Sequence, residues 1–132
     1  MNLFTAFLRT FFIQSFDFSS RTTRRWLYIY SFINGLIAMV VLFTSMVTYH
    51  KLFTPEFLGT FDYIKLILIF FSILSSIAII VRRLHDIDKS GWLFFISAIP
   101  VINILIMLFL LFPGTEGENR FGQNPREYDS FR

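Results

Sequence analysis

Val81-Arg82-Arg83-Leu84-His85-Asp86-Ile87-Asp88-Lys89-Ser90-Gly91-Trp92 is a short, strongly charged stretch with a long apolar run on each side. The chain leaves one membrane-length segment there and enters the next. That contrast decides the fold class: the flanking blocks want a hydrocarbon solvent, and the stretch between them wants water or headgroups.

Composition agrees. The 132 residues suffice for one domain, and 55% of them are hydrophobic against 16% charged. An average soluble domain carries about 25% charge. Phe alone occurs 19 times. So small a water-soluble fold cannot hide that much apolar surface, because small domains bury a smaller share of their area. There is no Cys, which excludes disulfides and Cys-ligated metals. The net charge of +3 is too small and too dispersed to suggest nucleic acid. In such a chain the basic residues report topology first.

Upstream of the connector, Leu27 to Tyr49 carries no charge and is long enough for a roughly 30 Å hydrocarbon core. Trp26, Tyr28 and Tyr30 at one end and Tyr49 at the other suit the two interfaces. Ser31, Gly35 and Ala38 form a small-residue stripe that would let another helix approach. His50 to Glu56 is a tight connection, with Thr54, Pro55 and Glu56 suited to a helix start. The second span is expected over 61–81, with Asp62 and Lys65 one turn apart at the interface. Residues 3–16 carry Leu3, Phe4, Phe7, Leu8, Phe11, Phe12 and Phe16 at helical spacing, with Thr5, Arg9, Thr10 and Gln14 on a weak polar face. About 15 residues cannot cross a bilayer, so this segment is expected to lie in the interface.

Downstream, 92–112 is a third uncharged block interrupted by Pro100. The expected architecture is therefore all-α: an integral membrane protein with three transmembrane segments and an N-terminal interfacial helix. The third segment is kinked at Pro100, with a re-entrant hairpin turning at Pro100 to Asn103 as the alternative. The tail, 113–132, is polar. The balance of Arg and Lys places the N-terminus and the connector on the cytoplasmic side.

The connector is the main candidate site. A basic pair at a helix end sits at phosphate depth, so Arg82, Arg83, His85, Asp86, Lys89 and Arg120 form a candidate lipid-headgroup or polar patch. Asp86 is expected to pair with Arg82 four residues back, and His85 to cap the helix end. Zinc wants three or four ligands, and the second histidine, His50, falls at the opposite membrane face. Asn34 and Asn103 are the intramembrane polar residues, expected to bond each other or backbone as interhelical glue. No catalytic, cofactor-binding or metal-binding residue is assigned, and no hydrolase or phosphate-loop signature occurs.

Several motifs follow one another in a set order: Phe18-Ser19-Ser20-Arg21, Arg24-Arg25, Arg82-Arg83-Leu84-His85-Asp86, Ser90-Gly91-Trp92, Pro100, Pro113-Gly114-Thr115 and Gly117-Glu118-Asn119-Arg120-Phe121-Gly122. This order resembles the YhaH/YhaI-type family of small bacterial inner-membrane proteins of unknown function. The likeness runs from about Phe18 to Pro125. Ser20 stands where that family usually has Gly, and Trp26-Leu27-Tyr28 departs from its usual continuation. The resemblance implies a multi-pass inner-membrane location and no particular reaction. The functional expectation is a non-enzymatic interaction or assembly protein, partnered by membrane lipids and by a second copy or another membrane protein. The alternative is an oligomeric transporter or channel component.

Overall fold

Two long apolar helices carry the architecture. The computed structural model describes residues 2–48 and 59–127. A helical segment opens the chain as α1 (Leu3–Leu8), a π turn (Arg9–Ile13) and a 3-10 turn (Gln14–Phe16). Then come α2 (Arg24–Thr48), α3 (Thr60–Asp86), α4 (Leu93–Ile96) and α5 (Pro100–Leu111). Among the described residues there is no strand. Helices α2 and α3 are both long and apolar enough to cross a membrane, yet only 22% of the most apolar window of each is buried. The central helix of a soluble protein would be covered. These two instead display Phe32, Met39, Phe43, Ile67, Phe70 and Ile73 outward.

Helix α2 starts three residues before the expected span. Thr23 supplies its cap, its Oγ1 accepting from Trp26 N at 3.3 Å. Helix α3 runs five residues past the expected end at 81 and takes in Arg82 to Asp86, the first half of the connector. No Gly or Pro interrupts that stretch, and Arg and Leu are good helix formers. The helix stops at Asp88, which adopts the left-handed conformation at φ 56°. Lys89 N then reaches Leu84 O at 2.8 Å and Asp88 N reaches His85 O at 3.0 Å, a Schellman closure. At the other end Gly59 N bonds Asp62 Oδ2 at 3.1 Å, and Lys65 pairs with Asp62 at 3.3 Å as its one-turn spacing suggests. Tyr49, His50 and the expected start near Pro55 lie outside the described residues.

The third block is not one kinked helix. It forms α4 and α5, separated by Ser97 to Ile99. Ile99 takes an extended conformation, φ −85° and ψ 119°, because the ring of Pro100 clashes with a helical predecessor. Both ends of the block sit at the C-terminal end of α3. At one end a β-carbon on Gly91 would come within 2.6 Å of Val81 Cγ1. At the other, Arg83 donates to the carbonyls of Leu110 (3.2 Å) and Phe112. The chain goes out and comes back.

The core lies between the N-terminal segment, α2 and α3: Ala6, Phe7, Phe11, Trp26, Leu27, Tyr30 and Ile79. Phe7 stacks on Tyr30 with ring centroids 5.3 Å apart. Thr10, a member of the expected polar face, is buried within the π turn while Thr5 and Arg9 stay outside. Helix α2 meets α3 through Tyr30 and Asn34. Tyr30 OH donates to Ser75 Oγ. Asn34 Nδ2 donates to Ser76 Oγ at 2.9 Å, and Ser72 Oγ donates to Asn34 Oδ1 at 2.9 Å. The expected stripe on α2 does not make this contact: Ser31 and Gly35 face outward.

Candidate functional site

The end of α3 gathers three remote parts of the chain. The last carbonyls of any helix lack an intrahelical partner. Here the polar tail supplies partners. Thr115 N donates to Asp86 O at 2.8 Å, and Thr115 Oγ1 reaches the same oxygen at 3.2 Å. Asn119 Nδ2 donates to His85 O at 3.0 Å. From the N-terminal side, Thr22 N donates to Arg82 O at 3.2 Å.

At the centre stands the carboxylate of Asp86, held between two guanidinium groups. Arg21 Nε and Nη2 reach Oδ1 at 3.2 and 3.0 Å, and Arg83 Nη1 pairs with Oδ2. Relative exposure is 2% for Arg21 and 0% for Arg83 and Asp86. Arg21 is saturated. Its Nη1 donates to Gly117 O and Gly122 O, both at 2.9 Å, and its Nη2 donates to Thr115 O at 2.8 Å and Thr115 Oγ1 at 3.1 Å. Gly117 and Gly122 aim those carbonyls from positive φ, 67° and 111°. Gly114 is packed so close that a β-carbon would fall on the Asp86 carboxylate. A guanidinium suits this centre because its five donors form a rigid planar fork.

Two smaller networks flank the clamp. Arg82 Nη1 donates to Gln14 Oε1 at 2.9 Å, Thr10 Oγ1 donates to the same oxygen at 3.0 Å, and Trp26 Nε1 donates to Thr10 Oγ1 at 3.1 Å. On the other flank the His85 imidazole lies parallel to the Phe121 ring, 4° off plane with centroids 3.8 Å apart. Arg120 sits 4.8 Å from the centroid of that ring and pairs with Asp88 at 3.1 Å. Asp17 orders the loop before Arg21. Its carboxylate accepts from Ser20 Oγ at 2.6 Å, Ser19 N at 3.0 Å and Ser20 N at 3.1 Å. Burial opposes ionisation of Asp17, but the donors of Ser20 and Ser19 together outweigh it and pull its pKa down to about 2.

Several expectations need correcting. Asp86 pairs with Arg83 three residues back and with Arg21, while Arg82 turns to Gln14. Arg82 and Arg83 are buried, and both bond protein groups. His85 stacks on Phe121 rather than capping α3, whose end is closed by backbone. Arg120 meets Asp88. Of the expected patch only Lys89 is an exposed cation without an ion pair among the described residues. Asn34 bridges to serines of α3, whereas Asn103 is exposed on α5, and the two do not meet. Arg21 is the hub; its position in the Phe18-Ser19-Ser20-Arg21 motif was the available signal.

Charged atoms of three chain segments neutralise and bond one another, which ties the termini to α3. Among the described residues no group of three or more His, Asp or Glu is placed to hold a metal ion.

These features define an all-helical membrane protein whose N-terminal loop and tail are locked to one end of its second long helix. The chain belongs to the family described as a protein of unknown function (DUF805), whose pattern matches residues 15–123. It is similar to inner membrane protein YhaI of Escherichia coli (strain K12), 27% identical over 110 residues, covering 83% of this chain and 86% of the relative. It is also similar to inner membrane protein YhaH of the same strain, 48% identical over 46 residues, covering 34% of this chain and 38% of that one. No solved structure matches the chain.

Proposed function

We propose that this is a multi-pass protein of the bacterial inner membrane in which α2 and α3 cross the bilayer and α4–α5 form a re-entrant hairpin. The observation that carries the reading is that both ends of the hairpin sit at one end of α3, the near end packed there through Gly91 and the far end bonded by Arg83. Helix α5, 12 residues long, spans about 18 Å, short of a roughly 30 Å core. Both chain ends then lie on the same side, the cytoplasmic one by the excess of basic residues there. The names of the Escherichia coli relatives support the inner-membrane assignment.

The role is non-enzymatic: an interaction or assembly protein that presents a locked cytoplasmic face. Among the described residues Arg21, Arg82, Arg83, Asp86 and Arg120 all bond protein groups. The transporter alternative draws less support, because Asn34, Ser72 and Ser76 bond one another between α2 and α3 instead of lining a path. Reporter fusions at both ends test the topology; a cytoplasmic signal from each supports it, and an external signal from the C-terminal fusion overturns it. Crosslinking in intact membranes tests the role. A discrete complex supports it, and an isolated monomer under all conditions overturns it.

A further inference from the structure

The buried clamp carries two guanidinium groups and one carboxylate, an excess of one positive charge. Two exposed arginines add to it. Arg24, in the first turn of α2, and Arg126 both lie close enough to act on the charge of Arg83. Neither forms an ion pair among the described residues. Among the described residues Arg24 is held by one bond, Nη1 to Leu111 O at 2.9 Å, which engages none of its other donors. Arg126 is not on a loose tail. It follows buried Asn124 and Pro125, and Asn124 Oδ1 accepts from its backbone N at 3.1 Å.

Below Arg24 the surface changes in a particular order. Tyr28, Phe32 and Leu36 follow at intervals of four residues, so all four lie on one ridge of α2. All are exposed, Phe32 at 70%. Leu111 and Phe112 are exposed beside them at the end of α5. Along the ridge the sequence runs from cation to phenol to hydrocarbon. That is the order of an anionic phospholipid: phosphate, glycerol, acyl chain.

We infer that Arg24, Tyr28 and Arg126 form a binding site for the phosphate of an anionic phospholipid, with Phe32 and Leu36 along its acyl chain. Arginine holds a phosphate through paired N–H donors, and the unbalanced charge of the clamp adds attraction. The inference rests on α2 crossing the bilayer.

Native mass spectrometry of the full chain released from nanodiscs tests it, with phosphatidylglycerol, phosphatidylcholine and inorganic phosphate as probes. Wild-type protein retains phosphatidylglycerol in preference to phosphatidylcholine. Arg24→Gln with Arg126→Gln lowers that retention by roughly twentyfold to thirtyfold, about fivefold for each arginine. Arg25→Gln removes the same charge from another face of α2 and leaves retention near wild type. Arg126→Gln alone carries the test should Arg24→Gln, which loses its tie to Leu111, fail to fold. Equal retention of the two lipids overturns the site, as does undiminished retention by Arg126→Gln. Displacement of the lipid by inorganic phosphate at matching concentration overturns the lipid as ligand. Extraction of the chain from membranes by alkaline carbonate overturns the spanning reading itself and the site with it. Firm membrane retention without lipid preference overturns the site alone.

Discussion

Arg21 and Asp86, 65 residues apart in the chain, are joined by two hydrogen bonds to a single carboxylate oxygen, from Nε at 3.2 Å and Nη2 at 3.0 Å. Arg83 takes the other oxygen. A carboxylate so placed cannot be removed without leaving two buried cations. Asp86→Asn preserves its shape and discards its charge. Breaking a buried pair in this way costs about 3–5 kcal/mol. Thermal unfolding in detergent should show that loss, and limited proteolysis should show earlier cleavage of the tail. A wild-type melting curve would mean that the clamp does not hold the fold.

Gly114 tests the packing around the same carboxylate. Its missing β-carbon makes room for Asp86, and the two arginines prevent Asp86 from moving aside. Gly114→Ala should cost about 1–3 kcal/mol, the usual range for overpacking. Gly35 has nothing within 4 Å of an added β-carbon, so Gly35→Ala should leave the melting temperature unchanged or slightly raised.

Asn34 and Asn103 should separate cleanly. Asn34→Leu removes the bonds to Ser72 and Ser76 and leaves the Ser72 hydroxyl without its acceptor, while Ser76 keeps its bond to Ser72 O. A loss of about 0.6–2 kcal/mol is expected. Asn103→Leu, on the exposed side of α5, should leave stability in detergent unchanged. Equal effects of the two substitutions would contradict the observed packing.

Asp17 gives a pH dependence with a definite sign. Its folded pKa, about 2, lies below the ordinary 3.8. The carboxylate therefore stabilises the fold fully above about pH 4, and that contribution is lost as pH falls through 2. Asp17→Asn should be less stable than wild type at neutral pH, and the gap should close between pH 4 and 2. Melting temperatures of both proteins across that range check it; a gap independent of pH would refute the assignment.

Much of the fold is local and therefore legible. The uncharged blocks around 27–49 and 61–81 mark long helices, because apolar runs of that length have few other homes. Asp62 and Lys65 pair as their spacing says. The N-terminal Phe periodicity marks a helical segment over 3–16, although not the π turn or the burial of Thr10. Other features were invisible for a physical reason. Helical spacing pairs Asp86 equally well with Arg82 or Arg83, and only the approach of Gln14 and Arg21 decides which. Pro100 is compatible with a kink or a reversal, and the choice depends on where the far end of the block is bonded.

The sequence by itself determined the solvent, the helices and the position of the charged connector, all properties of contiguous residues. Only the tertiary structure decided that Arg21, Arg83, Asp86, Gly114 and Thr115 form one buried centre. The ion pair and the hydrogen bond made by residues 65 and 94 positions apart depend on how helices are placed, and no local pattern records that.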